Sequence, residues 1–257
     1  MVAGKTTSDP WIAFRKPNPR ARLRLFCFSY AGGGASVYRT WHRDLPSDIE
    51  VLPVQLPGRE GRLKEERFRH IDPLIETLME VLPRYLDMPF AFFGHSLGAI
   101  VAYELTQKLR AELGKSPLYL MVSARRAPQV PPDEEPIYAL SPEEFYEKLR
   151  EFEGTPAEVL EHPELMELLE PLLRADFELN DTYEAKPDAP LLDCPITAFG
   201  GLEDKDVSRE NLEAWREVTR GPFRLRMFPG GHFYLHEGRN ALIAAVAQDL
   251  MPVVPLA

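Results

Sequence analysis

The residue with the clearest chemical potential in this 257-residue chain is Ser96, in the run Gly94-His95-Ser96-Leu97-Gly98 between an apolar stretch, Phe90 to Phe93, and a segment with leucines at helical spacing. A serine flanked by glycines at a strand-to-helix junction suits a sharp turn that holds the hydroxyl above a sheet edge, where side chains at the glycine positions would clash. A serine hydroxyl is a weak nucleophile at neutral pH. Such a site therefore needs a histidine base, and a carboxylate to orient that base and stabilise its charged form. His232 follows Phe228-Pro229-Gly230-Gly231 and so falls in a loop past a strand's carboxyl end, where parallel sheets collect their active groups. It is the expected base, with His236 in reserve. His95 adjoins Ser96 and is expected to point away from it, and His42, His70 and His162 lie in helix or loop settings far from strand ends.

The stretch Gly200-Gly201-Leu202-Glu203-Asp204-Lys205-Asp206 follows the preceding strand and offers the acid. Asp204 is favoured because the glycines make the turn and the order serine, acid, histidine is kept, while Glu203 and Asp206 stay open as alternatives. A tetrahedral oxyanion needs two backbone N–H donors. The Leu97 amide suits one, and the Ala31 amide, in Tyr30-Ala31-Gly32-Gly33-Gly34, suits the other. Those glycines lack both the Gly-Lys-Ser/Thr ending and the G-x-G-x-x-G spacing of nucleotide loops.

The elements that must position these residues follow from the hydrophobic pattern. Short apolar runs at Leu23 to Ser29, Ile49 to Gln55, Phe90 to Gly94, Leu118 to Ser123, Pro195 to Phe199 and Phe223 to Phe228 predict strands. Helices are expected through Tyr38 and Trp41, over Ile71 to Leu86, after Ser96 with Val101, Leu105, Leu109 and Leu113 on one face, across Leu212 and Trp215, and across Ala241 to Leu250. Alternation of this kind builds an α/β fold, a parallel sheet with helices on both faces. Residues 1–21 read as a loose arm, and residues 22–257 as a single domain. Between about 128 and 190 the alternation gives way to prolines, acids and short helical segments, as a lid inserted into a sheet protein would.

A net charge of −10 excludes nucleic acid or an anionic membrane as the main partner. Cys27 and Cys194 sit in apolar runs without metal-ligand or disulfide spacing and read as reduced core residues. No stretch approaches the roughly 18 apolar residues of a membrane span, and the N-terminus has no apolar signal region, so a cytoplasmic protein is expected.

Taken together, Phe28-Ser29-Tyr30-Ala31-Gly32-Gly33, Gln55-Leu56-Pro57-Gly58-Arg59-Glu60, Gly94-His95-Ser96-Leu97-Gly98, Leu173-Arg174-Ala175-Asp176-Phe177 and Gly230-Gly231-His232-Phe233 resemble the type II, or editing, thioesterases of polyketide synthases and nonribosomal peptide synthetases. One departure is Ser29-Tyr30, where many members carry Pro-His or Pro-Tyr. The resemblance implies an α/β-hydrolase fold, Ser96, Asp204 and His232 as triad, Ala31 and Leu97 as oxyanion donors, and a helical lid over an acyl channel. It implies a substrate held as a thioester on the phosphopantetheine arm of an acyl or peptidyl carrier protein; the serine chemistry itself requires no metal or cofactor, and a monomer is the default expectation. Leu140, Phe145, Leu149, Leu165, Leu168, Leu172 and Phe177 would suit an acyl chain, or pack the lid. Three basic clusters are docking candidates for a carrier: Arg15, Lys16, Arg20, Arg22 and Arg24; Arg59, Arg62, Lys64 and Arg67; and Arg125-Arg126. A general carboxylesterase or acyltransferase, and a non-catalytic ligand receptor, are the other readings of the same fold. The presence of all three triad residues speaks against the last.

Overall fold

A computed structural model describes residues 9–132, 135–152, 154 and 157–255. Six parallel strands form one sheet in the order β2-β1-β3-β4-β5-β6, namely β1 (Leu23–Phe28), β2 (Ile49–Pro53), β3 (Phe90–His95), β4 (Leu120–Ser123), β5 (Ile196–Gly201) and β6 (Phe223–Phe228). All of the expected strands are present. Because successive side chains point to opposite faces, each inner strand feeds two cores. Phe26, Phe28, Phe92, Val122 and Ala198 face one layer, and Leu25, Cys27, Phe93, Met121 and Phe199 the other.

The first layer is covered by α1 (Ile71–Val81) and α2 (Leu97–Leu113). Leu74 and Leu78 of α1, and Val101, Leu105 and Leu109 of α2, are buried as their four-residue spacing predicts. Leu113 is exposed in the last turn of α2, just before the left-handed Gly114. The helix expected to Leu86 stops at Val81, since Pro83 lacks the N–H to continue it and opens a 3-10 turn instead.

Tyr38 and Trp41 do not form a helix. They sit on two 3-10 turns, Ala35–Tyr38 and Trp41–Arg43, within a run of β-branched and aromatic residues of low helix propensity, and their rings are buried against Phe93.

Between β4 and β5 the described residues form three helices and no strand: α3 (Pro142–Glu151), α4 (Ala157–Leu160) and α5 (Pro163–Asp181). They share a core of their own around Phe145, Leu149, Leu160, Met166 and Leu173. The chain then continues through α6 (Arg209–Glu213), α7 (Tyr234–Glu237) and α8 (Arg239–Leu250), the last covering the second layer.

The N-terminal residues correct one expectation. From residue 9 the chain is not a loose arm: Trp11 and Ile12 are buried, Ile12 bridges Val54, and Trp11 O accepts the Gln55 N–H at 2.9 Å. The cause is the free edge beside β2, where an apolar pair gains both burial and backbone partners. Residues 1–8 lie outside those described. At the opposite edge, Arg224 and Arg226 on β6 both reach the buried carboxylate of Asp249 on α8, at 2.6 Å each. Among the described residues no helix is long and apolar enough to cross a membrane.

Candidate active site

Ser96 stands between β3 and α2 with φ 53° and ψ −118°, a backbone conformation that costs a non-glycine residue of the order of 1–3 kcal/mol. The surrounding structure enforces it. A Cβ at Gly94 would stand 2.1 Å from the Gly98 carbonyl oxygen, and one at Gly98 would stand 2.2 Å from that of Phe28. Only glycines let β1, β3 and α2 approach closely enough to close this turn, and the Ser96 N–H is fixed by donating to Ser123 O at 2.7 Å.

His232 lies in the loop after β6. Its Nδ1 is 3.0 Å from Asp204 Oδ2, and the Asp204 side chain is wholly shielded from solvent. The other Asp204 oxygen accepts the backbone N–H groups of Asp206 and Val207, at 3.0 and 3.1 Å. Both carboxylate oxygens are thereby engaged, which fixes the imidazole orientation and leaves Nε2 as the ring nitrogen available for proton transfer. The competing acids are placed otherwise. Asp206 Oδ2 is 4.0 Å from Nδ1, and exposed Glu203 accepts the Gly230 N–H. Asp204, Asp206 and His232 could together contact a cation, but the Asp204 hydrogen bonds already satisfy the carboxylate that such an ion would need.

His236 does not reach these acids. Its Nε2 pairs with the Tyr30 hydroxyl at 2.9 Å, and burial lowers its affinity for a proton. His95 is fully buried beside the serine, with Nδ1 2.8 Å from Ser123 Oγ, which in turn meets the Tyr234 hydroxyl. Neither Ser123 nor Tyr234 stood out in the sequence, because their partners are 28 and 111 residues distant.

Ser96, Ala31 and His232 line one cleft between the sheet and the helical insertion. Its remaining walls include Leu149, Phe152 and Phe177 from the insertion, and Arg125 from the end of β4. Of the apolar insertion residues singled out above, only Leu149 and Phe177 face this cleft. Phe145 packs inside the insertion, Leu172 is buried beside a second cleft, and Leu165 and Leu168 are exposed. Ala31 lines the main cleft, whereas the N–H groups of Gly32 and Gly33 are committed to Asp176 Oδ2 and Tyr30 O. Leu97 begins α2, where the first amides have no partner inside the helix.

The basic clusters are largely consumed by the fold. Arg15 and Arg24 pair with Glu50, Arg22 with Asp48, Arg59 with Asp176 and Arg62 with Glu65. Arg125 is buried and donates to Asn180; burial first, and then neighbouring Arg126, pull its pKa down to about 9.

The arrangement can activate a hydroxyl against an acyl carbon, and the chain is similar to known proteins of one family. The family model described as "Thioesterase domain" matches residues 23–250. The Gramicidin S biosynthesis protein GrsT of Aneurinibacillus migulanus is 42% identical over 246 residues, covering 96% of each chain. Thioesterase PikA5 of Streptomyces venezuelae is 36% identical over 245 residues, covering 95% of this chain and 86% of that one. The solved type II thioesterase BorB from the borrelidin biosynthetic cluster superposes with a TM-score of 0.86 at 39% identity, covering 95% of this chain and 99% of that one. The parallel sheet with its helical layers is the α/β-hydrolase fold of such neighbours, and this chain belongs to the thioesterase family.

Proposed function

We propose that this thioesterase releases acyl groups from the phosphopantetheine arm of acyl or peptidyl carrier proteins, as an editing enzyme of polyketide or nonribosomal peptide assembly, with Ser96, His232 and Asp204 as its triad. The observation that carries the reading is the His232–Asp204 contact at 3.0 Å, in the same cleft as a serine held in strained geometry. His232 Nε2 takes the Ser96 proton as Oγ attacks the thioester carbonyl, and the oxyanion is met by the amides of Ala31 and Leu97. Collapse expels the pantetheine thiol, which leaves with the proton from His232. A water, deprotonated by His232, then hydrolyses the acyl-serine to the free acid. No step calls for a metal or cofactor. The insertion over the cleft acts as a lid, and the chain works as a monomer on soluble carriers in the cytoplasm. The names of relatives, tied to gramicidin S and borrelidin biosynthesis, support the placement.

The test compares hydrolysis of acyl groups loaded on a phosphopantetheinyl carrier, on coenzyme A and on a simple oxygen ester. The carrier substrate is expected to give the highest kcat/KM, and a fluorophosphonate probe is expected to label the wild type but not Ser96→Ala. Equal or faster turnover of soluble esters would point to a general esterase. Labelling that persists in Ser96→Ala would remove Ser96 as nucleophile.

A further inference from the structure

The loop that carries Ala31 is held by two charged residues distant in sequence. Asp176 on α5 accepts the Gly32 N–H through Oδ2 at 2.7 Å. Arg59 grips the same carboxylate in a bidentate pair, Nη1 to Oδ2 and Nη2 to Oδ1, both at 2.8 Å. Arg59 Nη1 also donates to the Gly33 carbonyl at 3.1 Å. Both side chains are shut away from solvent, Arg59 with 4% and Asp176 with 2% of the residue exposed. Leu173, one turn earlier on α5, presses on the same loop so closely that a Cβ at Gly32 would stand 2.6 Å from its Cδ2.

A buried ion pair is weak support for a fold, because desolvation of the two charges offsets their attraction and a well-packed apolar pair often does as well. An apolar pair cannot, however, accept the Gly32 N–H, and it would leave the Gly33 carbonyl with the Ser29 hydroxyl, at 2.8 Å, in place of two donors. Gly32 adopts φ +77°, and glycine-rich backbone of this kind has alternatives close in energy unless its peptide groups are tied. Of the two oxyanion donors, the Leu97 amide is fixed by α2, whereas the Ala31 amide depends on this loop.

We infer that Arg59 and Asp176 are positioning residues for the oxyanion hole: their ion pair sets the Ala31–Gly32 backbone, so that the hole is complete only while the C-terminal half of α5 is seated. The inference rests on the triad reading above. Pro171 interrupts the hydrogen-bond ladder inside α5, and beyond it α5 is tied to the glycine loop by Asp176 and to the end of β4 by Asn180, which accepts from Arg125. The same half of α5 also packs in the insertion's own core, with Leu173 among its members and Phe177 against Phe145 and Phe152. Displacement of this half therefore switches the site off.

The test uses the full chain as wild type, as the double variant Arg59→Met/Asp176→Leu, and as Asp176→Asn. Three quantities are read: kcat and KM on an acyl-carrier thioester, affinity for an acyl trifluoromethyl ketone that adds to the serine to give an oxyanion, and affinity for the matching thioether, which cannot. The double variant is expected to stay folded by near-ultraviolet circular dichroism, with KM and thioether affinity unchanged, while kcat and ketone affinity both fall by roughly 100-fold, the scale of a lost oxyanion donor. Unchanged kcat in a folded variant overturns the inference, and so does an equal loss of thioether and ketone binding, which would mark a merely structural role. If the double variant does not fold, the same ketone-to-thioether ratio in Asp176→Asn decides. A wild type without thioester hydrolysis overturns the parent reading, an outcome visible before any variant is compared.

Discussion

His95 shows what a single side chain contributes here besides chemistry. It adjoins Ser96 but is turned into the interior, where burial first, and then His232 and His236, hold its imidazole well below the ordinary histidine range. The folded protein therefore keeps His95 neutral while the unfolded chain takes up a proton near pH 6.5. Below that value the unfolded state binds more protons, so stability falls as pH falls, and above it His95 adds no pH dependence. The unfolding midpoint is expected to drop between about pH 6.5 and pH 5. In His95→Gln the decline should be shallower, though His236, also lowered by burial, keeps part of it. An identical slope in the variant would show that His95 is not the group responsible. At this scale the sequence was legible where spacing carries meaning: the serine motif, and His232 past a strand end. It favoured Asp204 from the glycine turn and the order of the three residues, but the cause that sets Asp204 rather than Glu203 or Asp206 against His232, a short loop directing its amides toward one carboxylate, was not legible.

At the scale of elements, the site is a consequence of close backbone approach. The Gly98 position faces the Phe28 carbonyl, a main-chain group that cannot swing aside. Gly98→Ala is expected to cost about 3 kcal/mol or more, read as a shift in the urea midpoint, since relief requires moving β1 against α2. Gly61→Ala, with nothing within 4 Å of the added carbon, is the control and should stay within about 0.5 kcal/mol of wild type. A tolerant Gly98→Ala would mean that β1 and α2 are not locked at the turn. Strands were readable as short continuous apolar runs, buried on both faces of the sheet, and long helices because apolar residues recur near every fourth position. The 3-10 turns carrying Tyr38 and Trp41 were not, because two large buried rings mimic one face of a helix while the residues between them resist forming it. The Arg59–Asp176 pair was equally hidden, its partners being 117 residues apart.

For the molecule as a whole, polar composition misled in two places. Residues 9–21 look like a solvated arm by content, yet Trp11 and Ile12 close one margin of the sheet, and Arg62 lies 4.1 Å over the Trp11 ring. Trp11→Ala is therefore expected to lower stability by about 3 kcal/mol in chemical denaturation, where a free arm would give no change. The arginines that suggested a docking surface mostly serve internal pairs, as a chain with net charge −10 has carboxylates to spare for every guanidinium near its surface. The far side of the sheet completes the picture. With Arg224 and Arg226 projecting from β6 onto one carboxylate, a second polypeptide that tried to extend the sheet there would have to lie along a row of cations and displace them from their anion. Self-templating along this seam therefore carries an electrostatic cost that requires no further helix laid over the strand.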